Sequence, residues 1–340
     1  YGTDAGNTFE GPINLNTSAY AYMPSGLVPE RGRGRVVIFG ENANNTYIEM
    51  SSGGIAQLFG QSNFLIQGQH ASCSSNTRAV RMNGYSPSTA PIACNVMEYV
   101  TIATQGRASN FGDSTRACRY NTGFGSQTRG INANGNTPGD VNAIDYITIA
   151  STGDATDFGN LGVNVGSANN GANDLGSCTS PTRGFIFGNG TCSDIIQFIT
   201  IQTKGDSTKF GDLTGNNVRY PAGNSSDTRA LRAGGNTPSG LSVVEDVIDY
   251  WTMASEGNAT DFGNLTVARN LLASCSSKTR GVWAGGYDSP VTLNTMDYVT
   301  IASTGNAADF GDLTYSTPVA HTNGAARGFS GCSDVNGGLG

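Results

Sequence analysis

The sequence predicts an all-β protein assembled from one repeated unit of four short antiparallel strands. Three observations carry that expectation. One phrase recurs along the chain; its clearest copy is residues 294–314 (NTMDYVTIASTGNAADFGDLT). Near-copies occupy 142–161 and 246–266, weaker ones 96–113 and 194–214, and the most drifted 46–60. Its Phe-Gly mark falls at Phe59, Phe111, Phe158, Phe210, Phe262 and Phe310, at intervals of 52, 47, 52, 52 and 48 residues. A period near 50 is the signature of a repeat architecture. Second, 48 of 340 residues are Gly and only 13% are charged. That glycine content is roughly twice ordinary usage and suits many short strands joined by tight turns. Third, each period holds four β-branched or aromatic runs bounded by Gly, Asn, Ser and Thr, which is how strands are punctuated.

The last full period shows the elements in order. Residues 270–276 make a first strand of small side chains, and 279–286 a second that ends in Gly285-Gly286. Residues 294–302 make a third, with Tyr298, Val299 and Ile301, and 308–313 a fourth around Phe310. The intervening Ser-Thr-Gly-Asn is a tight turn in which Gly supplies the unusual backbone angle. The second strand opens on Arg in every copy: Arg35, Arg78, Arg129, Arg183, Arg229, Arg280 and Arg327. The third strand carries an acid or amide before an aromatic or Met: Glu49, Glu98, Asp145, Gln197, Asp249 and Asp297. An Arg fork suits such an acceptor. A residue demanded by every repeat serves the scaffold, whereas a catalytic group is needed once. The Arg and Phe series are therefore expected to be structural.

Four strands per unit, Gly-Gly after the second and aromatics in the third and fourth resemble the kelch-type repeats of β-propellers, over about residues 33–332. The resemblance implies a β-propeller of four-stranded blades. Phe replaces the family's usual fourth-strand Trp, and the glycine pair is intact only at 234–235 and 285–286. More narrowly, the wording of the 294–314 phrase resembles repeats in virion proteins of marine tailed phages, cyanophages among them. Six Phe-Gly marks plus one split unit give about seven blades, with six as the alternative. The last blade would be closed by both termini. Residues 318–324 and 326–332, including Arg327, would supply its first two strands, and 16–20, which echo 294–298, its third. This divides the chain into an N-terminal segment 1–32, a propeller 33–333 and a Gly-rich tail 334–340.

Composition excludes several function classes. A net charge of −7 argues against a nucleic-acid partner. No run of 18 apolar residues could cross a membrane as a helix. The basic stretch 31–35 reads as a turn entering a strand. Of seven Cys, none is spaced as Cys-x-x-Cys, and Cys73, Cys178 and Cys275 share one repeat position, so most are expected to be packing residues. His70 and His321, the two His, could meet only across a central channel. The Asp-x-x-Asp of 153–157 lacks the alternating ligand run of a calcium loop. No nucleophile, base and orienter set is present. The expectation is therefore no catalytic residue, no cofactor and no metal.

The scaffold repeats, but the loops after the second strands do not. Those at 85–95, 236–245 and 287–293 differ most, and recognition on rigid β scaffolds sits in such loops. Tyr85, Tyr287 and Asp288 are the candidate binding residues. The virion resemblance implies an extracellular, particle-associated protein without enzymatic activity, part of a larger assembly. Its partners would be other virion proteins or a host-surface glycan or protein. Alternatives are a secreted carbohydrate-active or oxidase-type propeller enzyme and a cellular kelch-type adaptor.

Overall fold

A computed structural model describes residues 35–39, 44–49, 55–66, 70–86, 93–137, 139–162, 175–188, 193–215, 218–237, 243–288, 290–313 and 330–333. Among them the protein is a six-bladed β-propeller, each blade a four-stranded antiparallel sheet. Blade 2 comprises Ala71–Ser74, Arg78–Tyr85, Ala93–Thr101 and Ser109–Cys118, from the inside outward. Blade 3 comprises Thr122–Gly125, Arg129–Thr137, Gly139–Thr148 and Thr156–Asn160. Blade 4 is Gly176–Thr179, Arg183–Phe187, Ile195–Thr200 and Thr208–Asp212. Blade 5 is Ala222–Ser225, Arg229–Ala233, Val247–Thr252 and Thr260–Asn264, and blade 6 is Ala273–Ser276, Arg280–Ala284, Thr295–Thr300 and Ala308–Asp312.

Blade 1 corrects the expected count of seven. Its second to fourth strands are Arg35–Phe39, Asn44–Glu49 and Gln57–Gln61, and its first is Ser330–Ser333. Cys332 faces Val37 as Cys73 faces Val80, Cys178 faces Phe185 and Cys275 faces Val282. The Ser-Gly-Cys-Ser of 330–333 is thus a first strand, where the sequence reading made 326–332 a second strand of a seventh blade. Arg327, the proposed strand 16–20, the segment 1–32 and the tail 334–340 lie outside the described residues.

The inner strands are short and buried along their length. Their small residues are a steric requirement near the axis. A Cβ on Gly123 would lie 2.5 Å from Ser72 O, and one on Gly223 would lie 2.1 Å from Ser177 O. Each hairpin into the second strand is closed by the same device. Ser75, Ser126, Ser180, Ser226 and Ser277 donate N–H to the carbonyl of the Arg three residues on, each at 2.8 Å. Their hydroxyls accept that Arg's N–H in return, at 2.9–3.2 Å.

The drift of the Gly-Gly signature has a backbone explanation. Its first position has φ near +60° in every described copy: Asn83 62°, Asn134 57°, Gly188 73°, Gly234 63° and Gly285 65°. Asn tolerates that left-handed conformation better than other side-chain-bearing residues, so Asn and Gly alternate there. The second position lies at 116–127° in Gly84, Gly135, Gly235 and Gly286, and after Gly188 the sequence has Asn189 there.

The core is divided into layers between blades. Val36, Ile38 and Ile48 of blade 1 pack with Val282, Met296 and Phe310 of blade 6. Val37, Phe39 and Phe59 of blade 1 pack with Val100 and Ile102 of blade 2. The same arrangement recurs from blade 2 through to blade 6. Apolar burial of this kind, about 25 cal/mol per Å2, is the main force holding blade to blade.

Candidate functional site

The repeated residues form an inter-blade harness. Each Phe of the Phe-Gly mark is buried and meets the third-strand aromatic edge-on, as Tyr99–Phe111 does at 5.9 Å and 83°. The following Gly lets the next blade come close: a Cβ on Gly159 would lie 2.5 Å from Gly205 O. The Phe carbonyl accepts the N–H of the next blade's turn glycine, with Gly153 to Phe111 O at 2.8 Å and Gly205 to Phe158 O at 3.0 Å. Two residues on, Ala155 N–H reaches Asp113 O at 2.8 Å, and from blade 1 to blade 6 Ala56 N–H reaches Asp312 O at 3.3 Å. The Asp or Asn after the turn glycine completes the seam, as Asp154 Oδ1 accepts Asp113 N–H at 2.9 Å. The outer edge of each blade is thereby covered by its neighbour's turn, which removes an aggregation-prone edge.

The Arg series also reaches across blades. Each guanidinium lies over its own third-strand ring, at 4.4–4.9 Å for Arg35, Arg78, Arg129, Arg183, Arg229 and Arg280. Five of them donate to the carbonyl just past the third strand of the following blade: Arg35 to Ile102, Arg78 to Ile149, Arg129 to Ile201, Arg183 to Met253 and Arg229 to Ile301. The expected partner, the neighbouring acid, is corrected. Successive strand residues face opposite ways, so the Arg shares a face with the aromatic and the acid points away. Arg35 does take a carboxylate, Glu49, which stands directly opposite it. Blade 1 was also read three residues out of register: Thr46-Tyr47, not Glu49-Met50, aligns with Glu98-Tyr99.

The acids instead bind other arginines, half-buried at Arg116 and buried at the rest, that the repeat analysis missed because only Arg81 and Arg232 share a repeat position. Glu98 pairs with Arg81, Asp145 with Arg116, Asp249 with Arg232 and Asp297 with Arg269. They also tether the preceding blade: Thr115 Oγ1 donates to Asp145 at 2.7 Å and Thr266 N–H to Asp297 at 3.2 Å. Burial lowers the pKa of Arg81 and Arg269 against the attraction of their carboxylates, and burial raises Asp249 despite Arg232.

The loops after the second strands share one rim with the crossovers between blades. Tyr85 is half-buried and paired with Ala93 at the base of its loop. Tyr287 and Asp288, also half-buried, form a two-residue ladder with Val291 and Thr292, and Tyr287 N–H donates to Asn270 O at 2.9 Å. Tyr85 stands on blade 2 and the other two on blade 6, with blade 1 between, so the structure does not gather them into one constellation. In the blade 5 loop, Thr237 N–H meets Val243 O at 3.2 Å and Val243 is exposed.

On the same rim, at the axis, the inner strands open into a cavity of about 100 Å3 lined by His70, Asn121, Thr122, Ser177, Pro221 and Leu272, among others. Thr122 Oγ1 donates to Ser177 Oγ at 2.7 Å, and Ser177 to Gly123 O at 3.1 Å. Among the described residues, no Asp, Glu, Lys or Arg lines it. The lining repeats small residues, Ala71, Ala222 and Ala273 at one position and Ser177 and Ser274 at the next, which in sequence read as packing residues, while His70, Asn121 and Pro221 are not shared. His321 lies outside the described residues, and among those described no three His, Cys, Asp or Glu gather as metal ligands. No family model matches this chain, and no curated protein matches it.

Proposed function

We propose that the chain is a non-enzymatic virion component, a tail, fibre or decoration protein that presents the loops of one rim for assembly or host-surface binding. The observation that carries the binding role is the contrast between the two parts of each blade. The inter-blade contacts repeat residue for residue, whereas the loops at 85–95, 236–245 and 287–293 differ in length, sequence and local pairing. The kelch-like and virion assignments rest on the resemblance of the repeat phrase. The pairing of Ser330–Ser333 with Arg35–Phe39 supports a ring clasped by its C-terminal strand, which suits a part that must stay intact outside a cell. The test is binding of the purified chain to disrupted particles of a marine tailed phage and to its host cells. Tyr85→Ala and a Tyr287→Ala/Asp288→Ala double variant should retain the melting temperature and lose at least tenfold in binding. Binding unchanged in both variants, or binding to neither target, would reject the reading.

A further inference from the structure

Among the described residues, Cys94 and Cys118 are free thiols. Cys73, Cys178 and Cys275 lie at one repeat position on inner strands. Cys94 and Cys118 follow no repeat and belong to blade 2, whose third and fourth strands run on past Val96 and Asp113, the pair at which the ladder ends in blades 4 to 6. In that extension Cys94 stands directly opposite Cys118. Opposed residues of an antiparallel ladder project to the same face, with Cα atoms about 4.5–5.5 Å apart. A disulfide needs Cα atoms about 4.4–6.8 Å apart, so the register alone meets its main geometric demand. The surroundings suit a dithiol of unequal access. Cys94 is half-buried and donates to Gly84 O at 3.4 Å. Cys118 is fully buried against blade 3, donating to Asn134 O at 3.7 Å, while Asn83 Nδ2 donates to its sulfur at 3.1 Å.

We infer that Cys94 and Cys118 are a redox-active dithiol that closes to an intramolecular disulfide in an oxidising medium. The co-reactant is a small-molecule disulfide, RSSR. The Cys94 thiolate attacks one of its sulfurs, the S–S bond breaks, and RS⁻ leaves and is protonated. Cys118 then loses its proton to water and attacks the Cys94 sulfur, expelling the second RS⁻. Two cysteine thiols are oxidised by two electrons and RSSR is reduced to two RSH. Burial pushes Cys118 up to about 12 and also raises Cys94. Both are therefore thiols at neutral pH, and closure should quicken as pH rises from 7 to 9. The bond would join the base of the 85–95 loop to the crossover at Arg119, which leads to the axial cavity. The staple does not depend on what those loops bind.

The full chain is oxidised with excess oxidised glutathione, its remaining thiols are alkylated, and it is digested with trypsin without reduction. Arg107 and Arg116 lie between the two cysteines, so linked and unlinked peptides separate. The expected product is a Cys94–Cys118 peptide pair two hydrogens lighter than its parts. It should come with a rise of a few degrees in melting temperature that a reductant reverses. Cys118→Ser should stop at the Cys94–glutathione adduct. Cys94→Ser, at the half-exposed position, should fold and show neither linkage nor the rise. Alkylation of both cysteines after oxidation, a stable glutathione adduct in the unmodified chain, or a Cys94 bond between two chains would each overturn the inference.

Discussion

At the residue scale, the repeated arginine joins two blades through one planar group. Its face covers a ring of its own blade and its edge donates to a carbonyl of the next. Arg129→Ala should therefore cost about 1–2 kcal/mol in denaturant unfolding, the sum of a partly desolvated cation–π contact and one hydrogen bond. Arg129→Lys keeps the charge but loses the planar fork, and should recover less than half of that. Asp249 makes a pH-dependent contribution. Burial raises its folded-state pKa above the unfolded value near 3.9. Stability linked to this carboxyl is thus fully present below about pH 4 and is lost as pH rises through the folded value. Asp249→Asn cannot ionise, so its melting temperature relative to the unmodified chain should climb between pH 3.5 and 7. A flat or falling difference would contradict the raised pKa.

At the element scale, the turn between third and fourth strands acts as a fifth rung on the preceding blade. Its amides should behave like strand amides although they sit in a loop. In native-state hydrogen exchange, Gly153, Gly205, Gly257 and Gly305 should be protected comparably to the second strands. Turn-like exchange at these glycines would show the seam to be open. How much of this was legible in sequence depends on periodicity. The Phe-Gly mark, the second-strand Arg and the four-strand order repeat, and each can be read by alignment of the chain with itself. The partner of each Arg could not be read that way, because spacing in sequence does not say which face of a strand a residue shares. Of the acids' arginines, Arg81 and Arg232 share one second-strand position, but Arg116 and Arg269 lie elsewhere in their blades, so the set left no full pattern. The axial cavity was invisible because its recurring Ala, Ser and Gly read as close packing rather than as the wall of a space. The seventh blade came from reading 326–332 by its Arg, when Cys332 and its small neighbours mark a first strand.

At the scale of the whole molecule, the six blades behave as a cycle in which each blade packs against two neighbours. The clusters run from blade 1 to blade 6 and back to blade 1. Ending the chain before Ser330 would remove the inner strand of blade 1 and bare one edge of Arg35–Phe39. Such a truncation should melt at least 10 °C lower or aggregate. An unchanged melting temperature would show that the strand contributes nothing. The Phe39–Ser330 pairing also has a temporal side. A ribosome makes Phe39 almost at the outset of the described chain and Ser330 at its close. Blades 2 to 6 can each assemble as they emerge, from neighbours a few dozen residues apart. Blade 1 must wait, with one edge unpaired, for a strand that does not yet exist. Pairing across so long a stretch is the slowest kind of contact to form. The interval before that strand arrives is when the nascent protein is most open to capture by chaperones or by another copy of itself.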